Sequence, residues 1–249
     1  MKALHAIVRY WLLDDLYAED EYGSRVLHNL ERARLFNQWM ADAIAPYVGA
    51  RVFEVGAGIG NITRLLLPRD LYLASDINPH HLAYLRNFAL GKSYLQVESL
   101  DLEDPVDFER WRGRFDTVIC LNVLEHVSDP VRSLHNIHSC LARDGKLLLY
   151  VPQGPGLCSS LDEVLGHRCR YDQPNLFAEL AEAGFEVESC REFNRAGVPG
   201  WVINGKIRRR RSFSPFQLKI FNSLVPLLRR IDGALPWRGL GLLAVARRS

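Results

Sequence analysis

Apolar positions along the chain recur in two rhythms. Over 24–47, the residues Val26, Leu27, Leu30, Ala33, Leu35, Phe36, Trp39, Met40 and Ile44 follow helical spacing, and Pro46 and Gly49 close the segment. Short apolar runs come next, at 51–55, 71–75 (ending at Asp76), 94–98, 115–121 and 146–151. Helical periodicity returns between them at 61–67, where Pro68 stops it, at 79–90 and at 130–141. Short apolar strands alternating with helices predict parallel βαβ units with helices on both faces of a sheet. Right-handed crossovers then put every strand's C-terminal end on one edge, and ligands bind there, at the switch point in strand order.

Beyond 151 the pattern changes. A helix is expected over 175–183 with Gly184 as its stop, a strand over 185–193, and a final strand over 239–246. Residues 197–238 separate the last two strands and are rich in Pro, Arg and aromatics; so long a connection is usually functional. Within it Phe213, Phe216, Ile220, Phe221, Leu224, Leu227 and Leu228 fall at helical spacing, flanked by Lys206, residues 208–211 (all Arg), Arg229 and Arg230. No repeat, low-complexity block or linker divides the chain. The expected organisation is one domain, 1–249: a helical region at 1–48, a core at 49–196, an inserted cap at 197–238 and a last strand at 239–249.

Composition adds limits. The 249 residues are 48% hydrophobic and 24% charged, which excludes disordered, collagenous and disulfide-scaffold classes. No apolar run approaches the roughly 18 residues of a membrane span. Residues 1–15 contain Arg9 and end on two acids without a small-residue cleavage site, so a signal peptide is not expected. Five scattered cysteines, odd in number and never C-x-x-C, suit a reducing cytoplasm. The net charge of +2 hides an asymmetry: residues 206–249 carry 11 Lys and Arg against Asp232 alone, a charge of +10, and the preceding 205 carry −8. An amphipathic helix edged with cations suits an anionic membrane surface, a lid over an active site, or plain packing with a solvated basic face.

The chemistry gathers at strand ends. Gly56-Ala57-Gly58-Ile59-Gly60 follows the first strand. Asn61-Ile62-Thr63 comes after it, where a P-loop needs Gly-Lys-Ser/Thr, and the spacing G-x-G-x-G is not the dehydrogenase G-x-G-x-x-G. Glu54, two residues before Gly56, would repel pyrophosphate and suits a ligand with positive charge. Asp76 is placed to accept hydrogen bonds from ribose hydroxyls, and Asp101 from an adenine amine. Together they describe a cationic adenosyl ligand without phosphates. The bland alternative makes the glycines tight-turn residues and Asp76 and Asp101 helix N-caps.

This ordered set, with Asn122-Val123-Leu124-Glu125-His126-Val127, resembles the class I S-adenosylmethionine-dependent methyltransferases over roughly 25–195. The resemblance implies a seven-stranded sheet with its last strand antiparallel, and S-adenosylmethionine as cofactor. It implies cofactor contacts from Glu54, Gly56, Ala57, Gly58, Gly60, Asp76, Ile77, Asp101, Leu102 and Asn122. His126, in the loop after the fourth strand, is either a general base or a structural histidine holding that loop. The same loop resembles that of ubiquinone-biosynthesis O-methyltransferases, where an additional Glu helps form a metal site. Here Asn122 stands at that position, and a neutral amide is the poorer ligand for a hard cation, so no metal is expected.

Gly166-His167-Arg168-Cys169-Arg170-Tyr171 resembles a Gly-His-x-x-Arg-Tyr segment of bacterial small-molecule methyltransferases. It suggests His167 as a second catalytic residue and Arg170 and Tyr171 as contacts to an anionic or sugar acceptor, or else a loop pinned to the domain surface; Trp201 is a further acceptor candidate. Tyr22, Arg34 and Asn37 are weaker candidates to close over the cofactor. The expected function is O-methylation of a small-molecule or lipid-linked acceptor in the cytoplasm, with peripheral contact to an anionic membrane through 206–230. A non-catalytic adenosyl-ligand binder is the alternative. Nucleic acid ranks low: the body of the chain is acidic, and no Asn/Asp-Pro-Pro-Tyr/Phe motif is present.

Overall fold

The computed structural model describes residues 33–249. Seven strands form one sheet: β1 (Arg51–Val55), β2 (Leu71–Asp76), β3 (Leu95–Ser99), β4 (Phe115–Leu121), β5 (Leu141–Pro152), β6 (Phe185–Phe193) and β7 (Gly241–Arg248), in the order β3-β2-β1-β4-β5-β7-β6. β7 alone runs antiparallel, paired with both β5 and β6. Strand order reverses between β1 and β4, which pair in parallel, so the switch point lies between their C-terminal ends.

Alternate strand residues feed two cores, one on each face. Phe53, Val118, Leu147, Leu149 and Ala244 meet one helical layer: α4 (Pro130–Cys140) with Leu134 and Ile137, and α6 (Gln173–Glu182) with Leu176 and Leu180. Val52, Ile119, Leu148, Tyr150 and Val245 meet the other, through Met40 and Ile44 of α1 (Arg34–Ile44) and Leu85 of α3 (Pro79–Ala89). The short α2 (Thr63–Leu66) follows the glycine loop, and α5 (Ser160–Leu165) follows β5.

Several boundaries moved. The helix expected over 24–47 is seen as α1 with a 3-10 turn to Tyr47; residues 24–32, like Tyr22 and residues 1–15, lie outside the described residues. The main-chain N–H groups of Leu35 and Phe36 at its start are taken by Asn222 Oδ1, at 2.9 and 3.2 Å, because Ala33 offers no capping side chain. β5 begins five residues early, at Leu141, which pairs with Phe115 before the register shifts. β7 begins at Gly241 and not 239. Gly239 is used otherwise: its carbonyl accepts from Gln153 Nε2 at 2.8 Å, and a Cβ there would lie 2.5 Å from the Phe193 carbonyl oxygen.

The segment 197–238 holds α7 (Val198–Trp201), a π-helical continuation (Val202–Ile207) and α8 (Pro215–Ile231). Ser214 and Gln217 form a capping box at the start of α8. Its apolar residues do not share one face. Val225 is buried and Phe221 packs on Phe36 of α1, with ring centroids 6.0 Å apart. Phe216, Ile220, Leu224, Leu227 and Ile231, spaced four, four, three and four apart, form a second row open to solvent; Phe216 is 70% exposed.

Candidate active site

The glycine loop, Asp76, Asp101, Asn122 and His126 gather at and beyond the C-terminal ends of β1 to β4. Gly56, Gly58 and Gly60 have φ of +66°, +58° and +82°, and a Cβ on Gly56 would lie 2.3 Å from Val123 Cγ2. That approach joins the glycine loop to the loop after β4. Asp76 closes the other side. Its Oδ2 accepts from Gly58 N at 2.8 Å, and its Oδ1 accepts from Asn78 N at 2.8 Å and faces His81 Nδ1 at 3.1 Å. Three of about four lone-pair positions are used, so Asp76 can accept one further hydroxyl without rearrangement. Asp76 is not a helix N-cap; Asn78 caps α3 through its bond from His80 N. Ile77, next in sequence, is 67% exposed and offers an apolar platform.

Asp101 is exposed, and its Oδ1 accepts from Glu103 N at 2.9 Å. Asp104 caps the following 3-10 turn, so Asp101 is no N-cap either. Leu102 is buried, with its carbonyl held by Asn136 Nδ2 at 2.9 Å. Ala57 is buried and its N–H donates to Ser75 O at 2.8 Å. Asn122 sits at φ +55°, exposed, donating its N–H to Tyr150 O at 2.9 Å; asparagine tolerates this left-handed backbone well.

Glu54 lies deeper than the crevice reading supposed. It is 4% exposed, and its Oε2 accepts from Thr63 Oγ1 and Tyr72 OH, both at 2.6 Å. Burial pushes its carboxyl up to about 7, against the pull of those two hydrogen bonds. Arg34 is exposed at the start of α1, the helix that packs on Phe193 and α8.

A second cluster adjoins. Leu124–His126 is a 3-10 turn, clamped from the β5 side by Arg168: its N–H donates to Glu125 O at 2.9 Å, and its Nε to His126 O at 3.0 Å. His126 is exposed, with Nδ1 3.2 Å from Gly166 O and its ring centroid 5.1 Å from that of His167. Partial burial of the ring, then the neighbouring His167, hold its imidazole below the usual range. Asp162 anchors the rest. Its Oδ2 accepts from Ser159 N at 2.8 Å, and its Oδ1 meets His167 Nδ1 at 2.9 Å and Arg170 Nε at 2.7 Å. Burial would raise this carboxyl; the bonds from His167 and Arg170 outweigh it and hold it low.

Arg170, Tyr171 and Trp201, read from the sequence as acceptor contacts, are buried, and their polar groups have partners within the chain. Arg170 Nη1 donates to Gln153 O at 2.9 Å and its guanidinium stacks 4.5 Å from the Trp201 ring centroid. Tyr171 is 3% exposed, and Trp201 Nε1 donates to Leu157 O at 3.1 Å. Their polar groups are spent on the wall that holds the His167 loop. Sequence reasoning missed Asp162 as the hub, although Ser159-x-x-Asp162 carries the spacing of a capping box. It also passed over Glu125, quoted only as part of a motif.

The profile of a methyltransferase domain family matches residues 53–147, which span β1 to β5. Residues 53–147 are thus similar to a methyltransferase domain, and the sheet around them has the fold of the class I S-adenosylmethionine-dependent methyltransferases. The methyl donor of that family is S-adenosylmethionine. The chain is 29% identical over 148 residues to a ubiquinone biosynthesis O-methyltransferase of Azotobacter vinelandii, covering 57% of this chain and 60% of that one. It is 27% identical over 142 residues to a tRNA U34 carboxymethyltransferase of Campylobacter concisus, covering 56% of this chain and 45% of that one. The chain thus spans about half the length of these relatives. Among solved structures, an S-adenosylmethionine-dependent methyltransferase from Mesorhizobium loti superposes with TM-score 0.59 at 18% identity, over 85% of this chain and 98% of that one. The [4+2]-cyclase SpnF superposes with TM-score 0.58 at 16% identity, over 84% and 79%. These likenesses show the fold; one bearer is named for a cyclisation, so the fold alone does not assign the reaction.

The crevice beside the glycine loop fits a nucleoside without phosphates. Residues 56–60 carry no basic side chain, an acid closes the loop from β2, and an apolar side chain stands exposed beside that acid. Among the described residues no helix is long and apolar enough to cross a membrane.

Proposed function

We propose that the chain is an S-adenosylmethionine-dependent methyltransferase that methylates an oxygen of a small or lipid-linked metabolite. The observation that carries the reading is the 2.8 Å bond between Asp76, at the end of β2, and Gly58, in the loop after β1, where an acid and a glycine loop frame one crevice beside the β1/β4 switch point. In this reading Asp76 holds the ribose, Ile77, Asp101 and Leu102 border the adenine, and Glu54, Gly56, Ala57, Gly58, Gly60 and Asn122 surround the methionine end. S-adenosylmethionine supplies a methyl group that is already electrophilic. The chain's task is therefore to align a nucleophile and keep water out, and orientation supplies much of the rate. His126 and His167 stand on the acceptor side, beyond Val123, which packs on Gly56.

The segment 197–238 serves as the acceptor's cap. Ser160 Oγ donates to Gly205 O and Arg210 O, at 3.0 and 2.7 Å, which latches the cap to the α5 segment that carries Asp162. The open row on α8 lies in the same segment as residues 208–211, Lys219 and Arg230, which form no ion pair among the described residues. Exposed apolar side chains among exposed cations suit an anionic lipid surface, from which a lipid-linked acceptor would be drawn. The reading puts the enzyme in the cytoplasm, with peripheral membrane contact. The Campylobacter relative's name favours a second reading, an RNA acceptor gripped by residues 208–211. The apolar row beside those arginines supports lipid over a phosphate backbone.

Calorimetry with S-adenosylmethionine and S-adenosylhomocysteine tests the cofactor site. Transfer of labelled methyl to separate small-molecule, lipid and RNA extracts tests the acceptor. Label in the small-molecule or lipid fraction is expected. Label in RNA would replace the acceptor reading, and cofactor binding without transfer to any fraction would leave a non-catalytic binder.

A further inference from the structure

We propose that Glu125, His126 and His167 form a binding site for one divalent transition-metal cation of the zinc class. One ligand-capable atom from each of the three lies within 4.8 Å of the others. Glu125 is fully buried, and neither of its carboxyl oxygens has a hydrogen-bond partner. A buried polar group left unmatched is costly, so a group that binds it accounts for it best.

The two imidazoles are set up to be that group's other ligands. Asp162 accepts from Ser159 N, Ser159 Oγ and Arg170 Nε, so its bond to His167 Nδ1 requires the ring proton to sit on Nδ1. The Nε2 lone pair of His167 is then free, 3.8 Å from Glu125 Oε1. That separation is too long for a hydrogen bond but close to the spacing of two ligands on one tetrahedral ion, about 3.3–3.5 Å for bonds of about 2.0–2.2 Å. His126 repeats the logic: its Nδ1 faces the Gly166 carbonyl, which only accepts, and its Nε2 lone pair remains. One imidazole backed by a carboxylate and the other by a backbone carbonyl is the outer-shell pattern of metal-ligating histidines.

Two imidazoles and a carboxylate leave a fourth position for water or an oxygen of a ligand, and exposed His126 places it at the rim. Asn122 had argued against a metal. The third ligand comes instead from the loop after α5, 41 positions beyond His126, and folding alone brings it there. The cluster stands on its own geometry. Only the cation's task, orienting an acceptor hydroxyl and easing its deprotonation, rests on the methyl-transfer reading.

The test uses the full chain stripped with a chelator and titrated with Co2+, then Zn2+. Wild type should take up about one Co2+ per chain, show the visible bands of a four- or five-coordinate centre, and lose them as Zn2+ displaces it. Glu125→Gln and His126→Ala should each weaken Co2+ binding about tenfold or more while calorimetry with S-adenosylhomocysteine is unchanged. If Glu125→Gln fails to fold, His126→Ala, on the exposed rim, decides. Wild type that binds no Co2+, or binds it no better than His126→Ala, overturns the site. Co2+ uptake without S-adenosylhomocysteine binding would instead keep the site and sink the methyltransferase reading.

Discussion

Glu54 is a buried acid whose protonation the fold controls, and Glu54→Gln measures how strongly. The carboxyl takes hydrogen bonds from Thr63 and Tyr72 at 2.6 Å, yet burial raises it from 4.5 to about 7. A raised carboxyl keeps its proton in the folded chain where the unfolded chain has lost it. Its contribution to stability is therefore complete below pH 4.5 and is lost as pH rises to about 7. At ~1.4 kcal/mol per pH unit that window is worth ~3 kcal/mol. Glutamine cannot titrate but keeps a carbonyl oxygen for the two hydroxyls. Urea unfolding of both proteins at pH 5, 6, 7 and 8 isolates the effect, because every other titrating group cancels in the difference. Wild type should lose ~2.5 kcal/mol relative to Glu54→Gln between pH 5 and 8, with most of the change below pH 7. A difference constant to within ~0.5 kcal/mol across that range would refute the reasoning. If Glu54 also faces the methionine end, a cationic ligand favours its ionised form. S-adenosylmethionine should then bind wild type more tightly as pH rises through the window, and Glu54→Gln without that dependence.

Three further outcomes are expected. Asp76→Ala removes a charged acceptor and the partner of Gly58, so calorimetry should show cofactor affinity ~10- to 100-fold weaker; unchanged affinity would end the ribose assignment. Gly56→Ala meets both a positive φ and Val123, and should destabilise by ~2–4 kcal/mol in urea; adding Val123→Ala should recover the steric part and leave the backbone part of ~1 kcal/mol. Phe216→Ser with Leu227→Ser should reduce sedimentation with anionic vesicles at a stability cost near ~0.5 kcal/mol; binding equal to wild type would show that this face meets no lipid.

The sheet and its ligand edge were legible in the linear order of residues. Strand–helix alternation set the βαβ frame, and handedness put Gly56, Asp76, Asp101 and Asn122 on one side of it, because local periodicity and chirality act over a few residues at a time. Boundaries slipped where tertiary contacts competed with pattern, as at Gly239, which packing against Phe193 withdraws from β7. The split of α8 into an inner and an outer apolar row was invisible for the same reason: periodicity marks apolar faces but does not say which of them finds a neighbour. The second cluster lay further from reach. Its members come from the loops after β4 and α5, and the proton position on His167 depends on Asp162, whose role rests on bonds from residues 159, 167 and 170. Residue type and spacing determine what a side chain can do; burial and the partners across the fold decide what it does.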